Sequence, residues 1–178
     1  MDKNTEIFYA ISKKRKSIRA FKPDSISDEI TSRLLEELRN SESAANRQPW
    51  HFIVLKGEDK KRFDHVFTKD GFKTAPLCIV GCAEPKQAWV RKSDNANYAE
   101  IDVTIALTRM ISAATAEGIG SCWIAAFDPI EVRKTLSLPD AVVPVGIIAL
   151  GYPETELKVE EKPRKPLKEI LHHGKWQG

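Results

Sequence analysis

The chain has 178 residues, 42% of them apolar and 30% charged, as expected for one soluble globular domain, 1–178, with a sizeable core. A formal net charge of +3 is too small to mark a nucleic-acid protein, so any basic function must rest on local clustering. No apolar leader follows Met1, and the most apolar stretch, 101–119, carries Asp102, Arg109 and Glu117, which argues against secretion and against a membrane span.

In chain order, residues 5–14 read as a short helix with Ile7, Phe8 and Ile11 on one face. Ser27 can cap a second helix through Asn40, with Asp28 and Glu29 in its first turn and a stripe of Ile30, Leu34, Leu35 and Leu38. A strand at 51–56 is followed by a polar helix at 58–67. A second strand, 77–83, is nearly continuous in apolar character and therefore central. A polar loop, 84–95, leads into a long helix, 96–117, with Gly118 and Gly120 at its C-terminal end. A third strand at 121–126, a helix at 129–137 opened by Pro129, and a fourth strand at 142–150 complete the pattern. This order predicts an α+β sandwich, a mixed β-sheet of at least four strands flanked by helices. The remainder, 151–178, has three prolines, many charges and only Leu167, Ile170, Leu171 and Trp176 as apolar anchors. So long a loop is uncommon unless it has a use, and an arm laid across a second subunit would supply one.

Three stretches can carry chemistry. Residues 41–50, Ser-Glu-Ser-Ala-Ala-Asn-Arg-Gln-Pro-Trp, join a helix to a strand and offer Ser43, Asn46 and Gln48 as hydrogen-bonding groups. That composition suits a flat, polar-edged ligand; a capping turn followed by a core tryptophan is the alternative. In 13–21, Arg15, Ser17 and Arg19 alternate along extended chain and would present two guanidiniums and a hydroxyl to one phosphate. Lys16 points the other way unless the backbone turns. A helix-terminal or nucleic-acid-binding role also fits this cluster. Lys162 and Arg164 repeat the spacing in the tail, where a solvated linker is the alternative. The glycines of 118–121 follow a helix instead of a strand, so a Rossmann site is rejected. His51, His65, His172 and His173 lack metal-ligand spacing, and Cys78, Cys82 and Cys122 read as buried thiols of a cytoplasmic protein.

Together these stretches resemble the FMN-dependent nitroreductases in their shorter subgroup. Five segments match in order: Arg15-Lys-Ser-Ile-Arg-Ala-Phe21, Ser43-Ala-Ala-Asn-Arg-Gln-Pro-Trp-His-Phe-Ile-Val54, Gly118-Ile-Gly-Ser-Cys-Trp-Ile-Ala-Ala-Phe-Asp128, Pro144-Val-Gly-Ile-Ile-Ala-Leu-Gly-Tyr-Pro153 and Lys162-Pro-Arg-Lys-Pro-Leu167. The resemblance implies a nitroreductase-like homodimer with an extended C-terminal arm exchanged between subunits, FMN at the interface, and NAD(P)H as reductant. It assigns Arg15, Lys16, Ser17, Arg19, Lys162 and Arg164 to the phosphate and ring edge, where positive charge also favours the reduced cofactor. It assigns Ser43, Ala44, Ala45, Asn46 and Gln48 to a loop laid on the cofactor by the other subunit, and Ile124, Ala125 and Ala126 to a strand end beside the flavin ring. No side chain need act as acid or base, no metal is implied, and the acceptor is a nitro compound, quinone or similar molecule reduced in alternate (ping-pong) half-reactions. Reductive dehalogenation and oxygen-dependent flavin fragmentation are alternatives on the same fold. Many relatives have proline where this chain has Glu42, and the inserted excursion of longer relatives is here reduced to 84–97.

Overall fold

The structure is a computed structural model that describes residues 2–155 and 162–177. Within the expected arm, residues 156–161 and 178 lie outside that description. Helix α1 (Lys3–Lys14) is capped by Asp2, whose carboxylate accepts the Asn4 and Thr5 N–H groups. Helix α2 (Asp28–Arg39) starts where expected, with the Ser27 hydroxyl accepting from the Ile30 N–H, and it buries Leu34 and Leu38. Strand β1 (Trp50–Lys56) leads directly into α3 (Gly57–Phe63). The expected helix at 58–67 tightens into a 3-10 turn at Asp64–Val66, because Phe63, Val66 and Phe67 must all turn inward. Then come β2 (Leu77–Ala83), α4 (Ala99–Ala116), β3 (Gly120–Ile124), α5 (Pro129–Thr135) and β4 (Val143–Gly151).

The sheet order is β1-β2-β4-β3, and each neighbouring pair is antiparallel. Strands β2 and β3, joined through α4, run parallel to each other, but β4 inserts between them and takes the hydrogen bonds. The parallel component of the sheet is the bridge between Ser17 and Ser121 at its β3 edge. Strand β2 is buried along its whole length because both faces are covered, so its continuous apolar run reflects two helical layers and not parallel neighbours.

Side-chain alternation sends the two strand faces into two cores. Cys78, Val80, Cys82, Ile147 and Ala149 meet Phe63, Phe67, Phe72 and Val132 on one side. Leu77, Ile79, Ile148 and Leu150 meet Leu34, Leu38, Val103, Leu107 and Met110 of α2 and α4 on the other. Gly118, with φ +74°, ends α4 as expected. Gly120 instead opens β3, where an added Cβ would lie 2.9 Å from Pro153 Cγ and 3.0 Å from Ile18 Cγ1.

Helix α1 buries none of its residues, and its Ile7, Phe8 and Tyr9 are exposed, as are Leu167, Ile170, Leu171 and Trp176 of the tail. The membrane expectation agrees with the helices, none of which is long and apolar enough among the described residues to cross a bilayer.

All three thiols are buried. Burial pushes the Cys78 thiol up from 9.0 to about 12 and the Cys82 thiol from 9.0 to about 11. A raised native pKa leaves stability intact below the unfolded value and erodes it above. Urea unfolding should therefore show falling stability from about pH 9 upward, approaching ~1.4 kcal/mol per pH unit per thiol, a slope that the Cys78→Ala variant should reduce. A second expectation concerns Gly146, where an added Cβ would sit 2.7 Å from the Trp123 indole. Gly146→Ala should cost about 1–3 kcal/mol in the same measurement.

Candidate functional site

The stretch after α1 meets the outer edge of β3 and then the residues just after β4: the Ile18 N–H donates to the Ser121 carbonyl at 2.9 Å, and the Lys22 N–H to the Tyr152 carbonyl at 2.8 Å. Alternation along this stretch turns Ile18 inward to 7% exposure and leaves Arg15 and Ser17 half-buried and Arg19 exposed. The Cys122 thiol reports where they gather. Burial raises its pKa, while the charge of Arg19, a hydrogen bond with Ser17, and the charges of Arg15 and Lys69 oppose that rise. Lys16 is half-buried.

The tail reaches the same corner. Lys162 Nζ donates to the Lys13 carbonyl at 3.3 Å and to the Arg15 carbonyl, so residues far apart in sequence form one basic cluster. Arg164 is exposed, and its Nη1 donates to the Pro163 carbonyl at 2.8 Å. Among the described residues neither Arg15 nor Arg19 has a carboxylate partner. A donor set of guanidiniums, an ammonium and a hydroxyl fits a phosphate.

A clamp behind the corner was not visible in the sequence. Lys60, only 3% exposed, donates from Nζ to the Phe72 carbonyl at 3.2 Å and the Lys73 carbonyl at 2.6 Å, and pairs with Asp64 Oδ1 at 2.6 Å. This holds a 3-10 turn (Asp70–Phe72) against the basic stretch, where a Cβ added to Gly71 would lie 2.0 Å from the Arg19 carbonyl oxygen. The Thr74 hydroxyl accepts from the Phe21 N–H at 3.0 Å.

The loop before β1 is the second element. Ala44–Asn46 forms a 3-10 turn, and Ala45, Asn46 and Gln48 have φ of 51°, 54° and 51°. Three non-glycine residues in the left-handed region within four positions cost about 1–2 kcal/mol each. The polar side chains serve the loop itself. Ser43 Oγ accepts from the Gln48 N–H at 3.0 Å, and Gln48 Nε2 donates to the Asn46 carbonyl at 3.3 Å and to Asn46 Oδ1 at 3.2 Å. The Ala44 N–H donates to Asp102 Oδ1 of α4 at 3.0 Å. Trp50 is partly buried beside Phe52 against the α2/α4 layer. Glu42 reaches Arg109 Nη1 at 3.7 Å, and Arg109 Nε also meets Glu37 Oε2 at 2.8 Å.

The third element is the end of β3. Ile124 is buried, and Ala125 and Ala126 are exposed just beyond the last strand pair instead of continuing the strand. The loop and the basic corner are not brought together within the chain. Trp50 aligns through Ala83 with Val143 at the start of β4, whereas Ser121 aligns with Leu150 near its end. Strand spacing and rise separate the two corners by roughly 25 Å.

This architecture has known counterparts. The sequence profile of the nitroreductase family matches residues 12–70 and 62–152. The chain belongs to the nitroreductase family. As a nitroreductase-family member it is an oxidoreductase of a family that is generally flavin-dependent. A protein of Archaeoglobus fulgidus, provisionally named NADH dehydrogenase/NAD(P)H nitroreductase, is 31% identical over 174 residues, covering 91% of this chain and 94% of its own. A nitroreductase-family crystal structure from Clostridium difficile superposes with a TM-score of 0.87 at 28% identity, covering 96% of this chain and 98% of that one. Iodotyrosine deiodinase of Thermotoga neapolitana is 25% identical over 195 residues, 93% of this chain and 96% of its own.

Two of the four histidines have acidic neighbours that sequence spacing concealed. His51 Nε2 lies 3.0 Å from Glu84 Oε2 and His65 Nε2 lies 3.2 Å from Glu131 Oε1, each with one carboxylate. The site residues missed from sequence are Lys60, Lys69, Gly71 and Asp102. Only Asp102 gave a signal, as an acid in the most apolar stretch of the chain. Lys60→Met would leave Asp64 without its cation and two carbonyls without their donor. It should lower unfolding free energy by about 3 kcal/mol and speed amide exchange at 70–74, as hydrogen-exchange mass spectrometry would register.

Proposed function

We propose that this chain is an FMN-dependent NAD(P)H oxidoreductase working as a homodimer. The observation that carries this reading is the cluster of Arg15, Ser17, Arg19 and Lys162, drawn from both ends of the chain and lacking carboxylate partners on its two guanidiniums. Bound there, FMN would supply two-electron chemistry, accepting hydride from NAD(P)H and passing electrons to an acceptor in alternate half-reactions.

The chain's own residues bind and orient. Arg15, Ser17, Arg19, Lys162 and Arg164 hold the phosphate, with Lys16 at the ring edge. About 13 Å along β3, by strand rise, Ala125 and Ala126 offer exposed backbone for the ring beside Ile124. The loop of Ser43, Ala44, Ala45, Asn46 and Gln48 sits at the opposite corner of its own sheet, so it would serve a second copy's cofactor. The bare apolar residues of α1 and of the tail give that copy a surface to cover, and the arm 151–178 would belong to the same exchange. No side chain is required as a proton donor or acceptor. Nitro compounds and quinones are the acceptors proposed. The similarity to the deiodinase favours reductive dehalogenation as the second reading.

Purified protein should be yellow, release FMN on denaturation, and oxidise NAD(P)H in the presence of nitrofurazone or a quinone. A colourless protein that ignores added FMN would refute the reading, and bound FMN with turnover only on a halogenated phenol would favour dehalogenation. Arg15→Ala and Arg164→Ala should each weaken FMN binding by about tenfold to a hundredfold, since a charge-assisted contact contributes about 1.5–3 kcal/mol, and the double variant by more than either. Unchanged affinity in the double variant would remove these residues from the phosphate site.

A further inference from the structure

Asp102 is 1% exposed, on a helix whose surrounding residues are apolar. Its Oδ1 accepts the Ala44 N–H at 3.0 Å, and its Oδ2 is buried with no hydrogen-bond partner among the described residues. A half-satisfied carboxylate in a core weakens the fold relative to an apolar side chain, so its one hydrogen bond is the place to look for a use. That use lies at the other end of the bond. Ala44 opens the turn in which Ala45, Asn46 and Gln48 are all left-handed, and Ser43, just before it, is extended at φ −143°. The contacts within the loop, Gln48 to Ser43 and to Asn46, close it upon itself but do not attach it to the body of the protein. Attachment to α4 comes from Asp102, and two turns further along the same helix face from Arg109, whose guanidinium meets Glu42 at 3.7 Å and is solvent-exposed. The exposed pair is weak; the buried one is the anchor.

We propose that Asp102 is a positioning residue that holds the 43–48 loop in its strained shape, so that the loop's backbone is presented ready-made to the flavin. The proposal rests on the assignment of this loop to the flavin site. Asp102 touches neither cofactor nor substrate in this account and acts only through the Ala44 N–H. Two features follow from the geometry. An acceptor at the Oδ1 position is what matters, so asparagine should substitute and alanine should not. The donor can also be deleted from the loop side: Ala44→Pro removes the N–H at the first position of a turn preceded by an extended residue, where proline is tolerated.

The experiment compares wild type, Asp102→Asn, Asp102→Ala, Ala44→Pro and the Asp102→Ala/Ala44→Pro double variant, each as full-length protein. The first readout is hydrogen exchange of the 41–50 peptide without added flavin, with the β2 and β4 peptides as internal controls for global stability. The second is the FMN dissociation constant. Asp102→Ala and Ala44→Pro should each speed exchange in 41–50 alone and weaken FMN binding about tenfold. Asp102→Asn should restore both, and the double variant should be no worse than either single one, because both remove the same bond. Unaltered loop exchange in Asp102→Ala, or additive losses in the double variant, would overturn the positioning role. If Asp102→Ala does not fold, Ala44→Pro and Asp102→Asn still decide it. Wild-type protein that binds no FMN would fail the functional reading, while loop exchange would still test the anchor. Tight FMN binding in a variant with a loosened loop would fail the positioning role and leave the functional reading standing.

Discussion

The insertion of β4 between β2 and β3 is the constraint on which the rest of the molecule depends. By pairing with both, β4 converts a helix-linked pair of parallel strands into an antiparallel sheet covered on both faces. It demands close approach at several places. Gly146 lies under the Trp123 indole, Gly81 of β2 lies under Leu107 of α4, and Gly151 lies against Phe21 and Pro76. These glycines are required by the neighbour overhead and not by backbone conformation. The insertion also leaves the outer edge of β3 open, and the Ser17–Ser121 bridge uses that edge to fix the basic stretch.

Electrostatics at that corner follow from what holds the cations. Lys162 donates to the backbone carbonyls of Lys13 and Arg15, which fixes the ammonium beside the basic stretch. Elsewhere several surface cations are matched, such as Arg33 with Glu117, Lys56 with Asp28 and Arg91 with Asp94. The matched pairs are screened by water and contribute little to stability. Arg15 and Arg19, with no carboxylate partner among the described residues, leave positive charge available to an anion at that corner. At the opposite corner the loop of 43–48 carries one exposed charge, Arg47, and otherwise neutral side chains. What it offers is backbone in a conformation that free peptide rarely adopts, held from behind by a buried carboxylate.

Much of this was legible in residue order. Ser27 as a cap, the span of β2, Gly118 as the end of α4, and the alternation of Arg15, Ser17 and Arg19 are local matters, and local stereochemistry decides them. The meeting of Lys162 with Arg15 was legible only as two similar spacings. The direction of strand pairing was not, because a helix between two strands suggests a parallel pair, and nothing in 77–124 announces that 143–151 will come between them. The roles of Lys60 and Asp102 were hidden for another reason. Each is an ordinary charged residue in a helix, and only the burial created by distant segments makes its hydrogen bonds matter. Glu42, unexplained by the motif it interrupts, acquires a partner in Arg109 only when α4 lies alongside the loop.

The sequence by itself determined the elements, their caps, the two-sided burial of the central strands and the membership of the nitroreductase family. Those features depend on periodicity, on side-chain chemistry within a few residues, and on five segments kept in order. The tertiary structure alone decided which charges are compensated, which glycines bear a neighbour's weight, and that the loop and the basic corner lie at opposite ends of the sheet's diagonal. Such properties arise from contacts between segments far apart in the chain, where the energy of a buried group is set by whatever the fold brings next to it.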